Sequence, residues 1–321
     1  MIYNYYLDPE ILSGEPGNDA SALNVLTLLR GISENGYISI FNEQLFWEDD
    51  EESEFVAAVN RIENPDAKKK IKRTLVRLLK HGRIIDNLKD PVGTQDLLKA
   101  ALLKAESESV DVAISNRKEN EVGVNPLMCV LTNLQDYFIS EVEDQRREFV
   151  KGGTFLYGGE ESHADFLSRH FDFLMRRAQT IEIYDKLIGK GSGNFKESVK
   201  AFLIHLESTC KKPEQCLVRF HVSNTHEGRI HNLKNWLTDG TTKIKIELNV
   251  YGDPGDDIEF HHDRFLVIDD FAFMISRGFD FLHVSGKNKD INVDFKPKDK
   301  VMRCVRDLAQ RASTTETITL R

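Results

Sequence analysis

The stretch that decides the fold is FHHDRFLVIDDFAFMIS, residues 260–276. Two short apolar runs flank the adjacent residues Asp269 and Asp270. Runs of this length and alternation, separated by two turn-forming residues, predict a β-hairpin with strands at 259–268 and 271–276.

The first strand of this hairpin carries the residues that suggest chemistry. Alternate side chains of a strand lie on one face, so His262 and Arg264 are predicted to point together while Asp263 points away. An imidazole nitrogen can attack phosphorus, and a guanidinium can hold two phosphate oxygens. The pattern therefore indicates phosphoryl transfer through a covalent phosphohistidine, a route that requires no metal or other cofactor.

The elements around the hairpin alternate between strand and helix, which predicts an α/β domain with a mixed sheet flanked by helices. Its boundaries are expected at 153–321, after the glycine pair at 152–153. The predicted elements before and after the hairpin are a helix at 162–178, strands at 180–188, 216–222 and 243–250, helices at 194–207 and 227–238, and a closing helix at 298–310.

The first 152 residues are predicted to form a separate α/β domain. Strands are expected at 2–7, 37–41, 83–85 and 110–114, and a basic helix is expected to begin after Pro65-Asp66. A long helix at 127–150 is predicted to lead into the second domain.

Composition narrows the class of protein. The chain has 321 residues, a net charge of −9 and four cysteines without metal-binding spacing. Two soluble domains with free thiols are expected, and Cys210 and Cys216 lie close enough in sequence to approach each other. The opening MIYNYYLDPEIL has no basic segment before an apolar one, and no apolar run reaches the length of roughly 18 residues needed to span a bilayer, so a cytoplasmic location is expected.

The spacing His262-x-Arg264-x₄-Asp269 resembles the HxK(x)₄D motif of the phospholipase D superfamily, with arginine in place of lysine. Downstream, Ser276-Arg277-Gly278-Phe279-Asp280-Phe281 resembles the Gly-Arg-Gly-Leu-Asp-Tyr-Phe segment of the phospholipase-D-like domain that follows MIT domains. The strand that ends in Tyr184-Asp185-Lys186 is similar to the first strand of that branch. The resemblance covers about half of the chain.

The resemblance implies a site in which His262, Arg264 and Asp269 are catalytic. Tyr184, Asp185, Lys186, Ser276, Arg277 and Asp280 are then expected to contact the substrate. Catalytic members of the superfamily use two such motifs, so the single motif here implies a homodimer.

Two functions from different classes stay open. The first is a metal-independent phosphodiesterase or nuclease acting on nucleic acid, an activity that this domain architecture would fit in a prokaryotic defence system. The second is a non-catalytic module that binds phosphate or a partner, which the lysine-to-arginine change and the non-catalytic MIT-associated branch both favour. A purely structural pairing of His262 and Arg264 with Asp269 or Asp280 is the third reading.

The first domain shows a second, weaker resemblance. Tyr5-Tyr6-Leu7-Asp8 is similar to the opening strand of PIN-like nucleases, in which an aspartate at the strand end binds a divalent cation. Asp111 is a further candidate ligand, but no third carboxylate stands out, and a structural or partner-binding role is the simpler expectation. The basic helix at 67–80 either contacts nucleic-acid backbone or is a solvated face.

Overall fold

The structure is a computed structural model that describes residues 2–13, 19–41, 53–88, 96–108, 110–124, 129–156, 163–185, 188, 193–223, 227–240, 243–252, 264–276, 291–312 and 314–320. The chain divides into two units, Met1–Glu148 and Phe149–Arg321. The division falls four residues before the expected boundary at 152, inside a helix.

The first unit alternates strand and helix. Its elements are β1 (Tyr3–Leu7), α1 (Pro9–Ser13), α2 (Asp19–Asn35), β2 (Gly36–Ile40), α3 (Glu54–Asn60), α4 (Pro65–Lys80), β3 (Ile84–Asp86), α5 (Leu97–Glu108), β4 (Val112–Ile114), α6 (Glu119–Val122), β5 (Val130–Thr132), α7 (Leu134–Phe138) and the start of α8 (Glu141–Gly152).

In the described part of this unit, five strands form a parallel sheet in the order β3-β2-β1-β4-β5. Every residue of the central strand β1 is buried. Its Tyr5 and Leu7 pack with α2, α3 and α4 on one face, and Tyr6 packs with α5 on the other. The sheet is therefore covered by helices on both faces, as parallel sheets require.

The expected basic helix is confirmed as α4, and its start is set by local chemistry. The side chain of Asn64 accepts hydrogen bonds from the backbone N–H groups of Asp66 and Ala67 at 3.0 and 3.1 Å. Pro65, at the first helical position, needs no such partner because it has no N–H.

The predicted long helix at 127–150 is wrong. The segment contains strand β5, which pairs with β4, and then two helices, α7 and α8. Asn133 caps α7 by accepting hydrogen bonds from the backbone of Gln135 and Asp136, so the chain enters a new helix there.

The second unit contains the predicted mixed sheet. Its elements after α8 are β6 (Thr154–Leu156), α9 (His163–Met175), β7 (Thr180–Tyr184), α10 (Gly193–Thr209), β8 (Leu217–Ser223), α11 (Glu227–Gly240), β9 (Lys245–Gly252), β10 (Arg264–Ile268), β11 (Phe271–Ile275), β12 (Ile291–Lys296), α12 (Lys298–Arg311) and β13 (Thr314–Thr319).

Within the described residues, eight strands follow the order β13-β9-β8-β7-β10-β11-β12-β6. Strands β7, β8 and β9 are parallel, and β10 and β11 form the antiparallel hairpin that the sequence predicts. Strands β6, β12 and β13 were not expected. One face of the sheet packs on α12, and the other packs on α9, where Phe171 meets Phe273 edge to face at 5.1 Å.

The cysteines are free thiols. Cys210 and Cys216 lie together across the turn between α10 and β8, and the interaction with Cys216 lowers the pKa of Cys210. None of the helices in the described part of the chain combines the length and the apolar character that crossing a bilayer requires.

A buried carboxylate organises the end of the first unit. Glu143 on α8 accepts hydrogen bonds from Tyr137 and from Arg146 Nε at 2.6 Å each, and from Arg147 Nε at 2.8 Å. Burial raises the pKa of Glu143, but the hydrogen bonds from Arg146 and Tyr137 outweigh it and hold the pKa below its usual range. The ionised form is therefore the one that stabilises the fold.

Replacing Glu143 with glutamine is expected to lower the free energy of unfolding by about 3 kcal/mol, because Arg146 loses its charged partner inside the protein. Because folding lowers the carboxyl pKa, the advantage of the native residue is present above the unfolded pKa of about 4.3 and is lost as the pH falls through the folded value. Urea unfolding of Glu143→Gln and of the exposed control Glu148→Gln at pH 7 measures this. A loss no larger than that of the control would contradict the assignment.

Candidate functional site

The candidate site lies at the carboxyl edge of the parallel strands in the second unit. Strand β7 ends at Tyr184, and Asp185 follows it directly; β10 begins at Arg264 beside it, because Phe265 pairs with Tyr184. Ligands of open α/β sheets bind outside this edge. Beyond Asp185 and Ser276, the chain at this edge falls largely outside the described residues, which omit 186–187, 189–192, 224–226, 253–263 and 277–290.

Arg264 is held by two groups at this edge. Its Nε lies 3.8 Å from Oδ1 of Asp185, and its Nη1 donates to the backbone carbonyl of Ser276 at 3.4 Å. The Asp185 side chain is fully buried, whereas 17% of the Arg264 side chain is exposed. A buried carboxylate thus anchors a guanidinium that still reaches the surface, which is the arrangement expected of an anion-binding arginine.

Ser276 follows β11 and lies beside Arg264 at the same edge of the sheet. Its backbone carbonyl accepts the Arg264 hydrogen bond, its hydroxyl accepts from the backbone N–H of Asn292 at 3.0 Å, and its own backbone N–H donates to the Asn292 carbonyl at 3.0 Å. Asn292 on β12 therefore fixes the carbonyl that contacts Arg264.

Asp269 is not part of this site, and its predicted catalytic role is wrong. It occupies the turn between β10 and β11, five residues along the chain from Arg264, or roughly 16 Å in an extended strand. Its carboxylate accepts from the backbone N–H of Thr180 at 2.9 Å and of Gln179 at 3.1 Å, and its φ of 49° is in the left-handed region. Asp269 closes the turn and caps the start of β7.

Tyr184 is a core residue, so its predicted role in substrate binding is also wrong. Its side chain is 1% exposed and packs with Phe265, Val267 and α12, on the face of the sheet opposite to Asp185. The remaining predicted residues, His262, Lys186, Arg277 and Asp280, lie outside the described residues.

A polar network that was not predicted from the sequence lies on the α12 face of the same sheet. His221 on β8 lies between Glu182 on β7 and Tyr251 on β9, with its Nε2 2.7 Å from Glu182 and its Nδ1 2.9 Å from the Tyr251 hydroxyl. Arg219 also bonds Glu182, at 3.0 Å. Burial raises the pKa of Glu182, but hydrogen bonds from His221 and Arg219 outweigh it and leave the pKa lowered. The network ties three parallel strands together, and alternation along β8 would have placed Arg219 and His221 on one face.

The first unit has a separate acidic pocket of about 390 Å³ at the carboxyl edge of its own sheet. Asp8, Glu10, Glu54 and Asp96 line it together with Arg61 and Arg117. Asp8 accepts from the Ser115 hydroxyl at 2.7 Å, and Arg117 makes a two-pronged bond to Asp96 at 2.7 and 2.9 Å. Burial, followed by the charges of Asp8 and Glu10, raises the pKa of Glu54.

The second proposed metal ligand, Asp111, is not in this pocket. It precedes β4, at the amino edge of the sheet, where it accepts from the backbone N–H of Asn4 at 2.7 Å. Among the described residues, no three histidine, cysteine, aspartate or glutamate side chains are arranged to hold a metal ion. Asp8 and Asp111 therefore lie at opposite edges of the sheet and do not share a site.

No family model matches the sequence, and no curated protein matches it. Among solved structures, the chain is similar to that of TrmBL2, described as an archaeal chromatin protein with a novel mode of DNA binding. The identity is 11%, the match covers 76% of this chain and 80% of that chain, and the TM-score is 0.25. A similarity at this level carries no argument about fold or function.

The place of Asp111 gives a testable pH dependence. Burial raises its pKa to about 7, well above its value in an unfolded chain. The contribution of Asp111 to stability is therefore complete below pH 4, is lost as the pH rises through 7, and amounts to about 4 kcal/mol at most.

Asp111→Asn removes this dependence while keeping an acceptor for the Asn4 N–H. The variant is expected to be more stable than the native protein at pH 8, and the difference should vanish near pH 4. Denaturant unfolding at the two pH values measures it. Equal stabilities at pH 8 would show that the carboxylate ionises without cost.

Proposed function

We propose that the second unit is a phosphodiesterase of the phospholipase-D-like type that acts on nucleic acid at the carboxyl edge of its sheet. The proposal rests on the position of the Arg264 guanidinium, which forms an ion pair with the buried Asp185 and is partly exposed to solvent. Arg264 holds the non-bridging oxygens of the phosphodiester, and His262 attacks the phosphorus.

Arg264 is well suited to hold phosphate because its geometry is set in advance. A guanidinium has five N–H donors; Nη1 donates to the Ser276 carbonyl, whereas Nε, 3.8 Å from Asp185, is within ion-pair distance but makes no hydrogen bond to a described residue. These two contacts restrain the guanidinium, so less side-chain freedom is lost when an anion binds. Asp185 also balances the arginine charge in the protein without occupying all of its donors.

In the proposed reaction, the His262 nitrogen displaces the alcohol group of the diester and forms a phosphohistidine, which water then hydrolyses. Arg264 stays charged and cannot protonate the departing oxygen. A second imidazole must supply that proton, and the single motif means that it comes from His262 of a second copy in a homodimer.

Binding without turnover is the second candidate, and the ion pair itself favours it. Where catalytic relatives of the resembled family carry lysine, this chain carries an arginine that is paired with a buried carboxylate. Phosphate binding by such a pair does not depend on a nucleophile nearby. The two candidates share the Arg264 contact and differ in whether His262 reacts.

The double variant Arg264→Met/Asp185→Asn tests the shared contact. It removes the anion-binding charge and the charge of the buried carboxylate together, so Asp185 is not left ionised beside an uncharged residue. We expect the double variant to lose binding of dimethyl phosphate and hydrolysis of bis(p-nitrophenyl) phosphate in the presence of a chelator.

Arg306→Met, an exposed arginine on α12, is the matched control and should keep both activities. His262→Asn separates the candidates: loss of hydrolysis with binding retained supports the phosphodiesterase, and absence of hydrolysis in the native protein supports the binding module. Unchanged binding in the double variant would contradict both.

A further inference from the structure

Helix α4 has six exposed cationic residues; five of them lie in one stripe, and Lys72 lies beside it. Lys69, Lys70, Arg73, Arg77 and Lys80 are all exposed, and we refer to them together as the α4 basic face. The chain as a whole has a net charge of −9, so the positive charge of this face is opposite in sign to the net charge of the protein.

Helix geometry places the five cations in one stripe. Ile71, Leu75 and Leu78 are the buried residues of α4 and define its inner side. At about 100° per residue, the α4 basic face occupies a sector about 100° wide, centred opposite to that inner side. From Lys69 to Lys80 the stripe runs about 16 Å along the axis.

Within the described part of the chain, no ion pair or side-chain hydrogen bond engages the α4 basic face, whereas the neighbouring Lys68 donates to the Asn60 carbonyl at 3.0 Å. The acidic residue in the first turn of α4 is Asp66, which precedes the stripe. Lys69 and Arg73, and Arg73 and Arg77, are four residues apart, a spacing at which like charges destabilise a helix. An external anion would relieve this repulsion.

We propose that the α4 basic face binds the backbone phosphates of double-stranded nucleic acid. The stripe contains no aromatic residue on which an unpaired base would stack, so the contacts it offers are to phosphate alone. Duplex DNA presents one phosphate charge about every 1.7 Å of axis, and 16 Å of helix meets several of them. The proposal rests on the proposed function in naming nucleic acid as the substrate, and it assigns the duplex form.

An anionic membrane surface is the competing occupant, and the structure disfavours it. A membrane-binding amphipathic helix buries its apolar side in the lipid. The apolar side of α4 is already packed in the core of the first unit, where Ile71 is 0% and Leu78 1% exposed.

The test compares two triple variants of the full chain, Lys69→Gln/Arg73→Gln/Arg77→Gln on α4 and Lys300→Gln/Arg303→Gln/Arg306→Gln on α12. Each removes three exposed cations from one helix, so the change in net charge is the same. Fluorescence anisotropy with a labelled 20-base-pair DNA duplex, at 50 to 200 mM NaCl, measures affinity and its salt dependence. Circular dichroism checks that both variants are folded.

We expect the α4 variant to bind the duplex at least tenfold more weakly at 50 mM NaCl, with the slope of log affinity against log salt reduced by about 2 to 3. The α12 variant should lose less than threefold. Absence of duplex binding by the native protein, or an equal loss in both variants, would overturn the proposal. Loss of binding to phosphatidylserine vesicles with duplex binding intact would assign the face to a membrane surface instead.

Hydrolysis of bis(p-nitrophenyl) phosphate keeps this proposal separate from the proposed function. The small diester needs the Arg264 site but not the α4 basic face, so the α4 variant should hydrolyse it at the native rate. A protein that binds duplex through α4 but never hydrolyses the diester would retain this inference and refute the phosphodiesterase.

Discussion

The account of function depends on one ion pair, between the buried carboxylate of Asp185 and the guanidinium of Arg264. The Asp185 side chain is fully buried, and burial of an ionised carboxylate is costly, so a cation beside it is stabilising. The antiparallel pairing of β10 with β7 supplies it, because their register sets Arg264 beside the end of β7. The same register leaves the guanidinium at the edge of the sheet where parallel α/β folds bind their ligands.

The two ends of the β10–β11 hairpin have different tasks. At one end, Arg264 and Ser276 meet at the carboxyl edge, where the proposed chemistry takes place. At the other end, Asp269 holds a left-handed turn and the first backbone N–H groups of β7. A motif that resembles one catalytic unit along the chain is thus divided in space between the proposed anion-binding end and a structural end.

Local signals predicted much of the fold. Signals that are local in sequence predicted three elements correctly. Turn residues predicted the β10–β11 hairpin, the Pro65-Asp66 pair predicted the start of α4, and hydrophobic periodicity predicted α12. Strands β5 and β13 were missed because they are short or polar and exist through pairing with β4 and β9, partners that no local pattern identifies. The false helix at 127–150 has the same cause.

The site was predicted in part. Asp185 and Arg264 are brought together as expected, although pairing rather than direct substrate contact explains Asp185. The prediction that Tyr184 contacts the substrate could have been rejected from the sequence, because side chains alternate along a strand and Tyr184 and Asp185 therefore point to opposite faces. Asp111 was misplaced because an aspartate before a strand and one after it look equally close in sequence, yet they lie at opposite edges of a parallel sheet.

The most direct test of the central claim is side-chain ¹⁵N NMR of the Arg264 guanidinium, assigned by its disappearance in Arg264→Lys, during titration with dimethyl phosphate. The account predicts a saturable shift of the Arg264 Nε resonance, with the resonances of exposed arginines on α12 unchanged. An Arg264 signal that stays fixed at saturating diester, or that shifts only as much as the α12 signals, would contradict it.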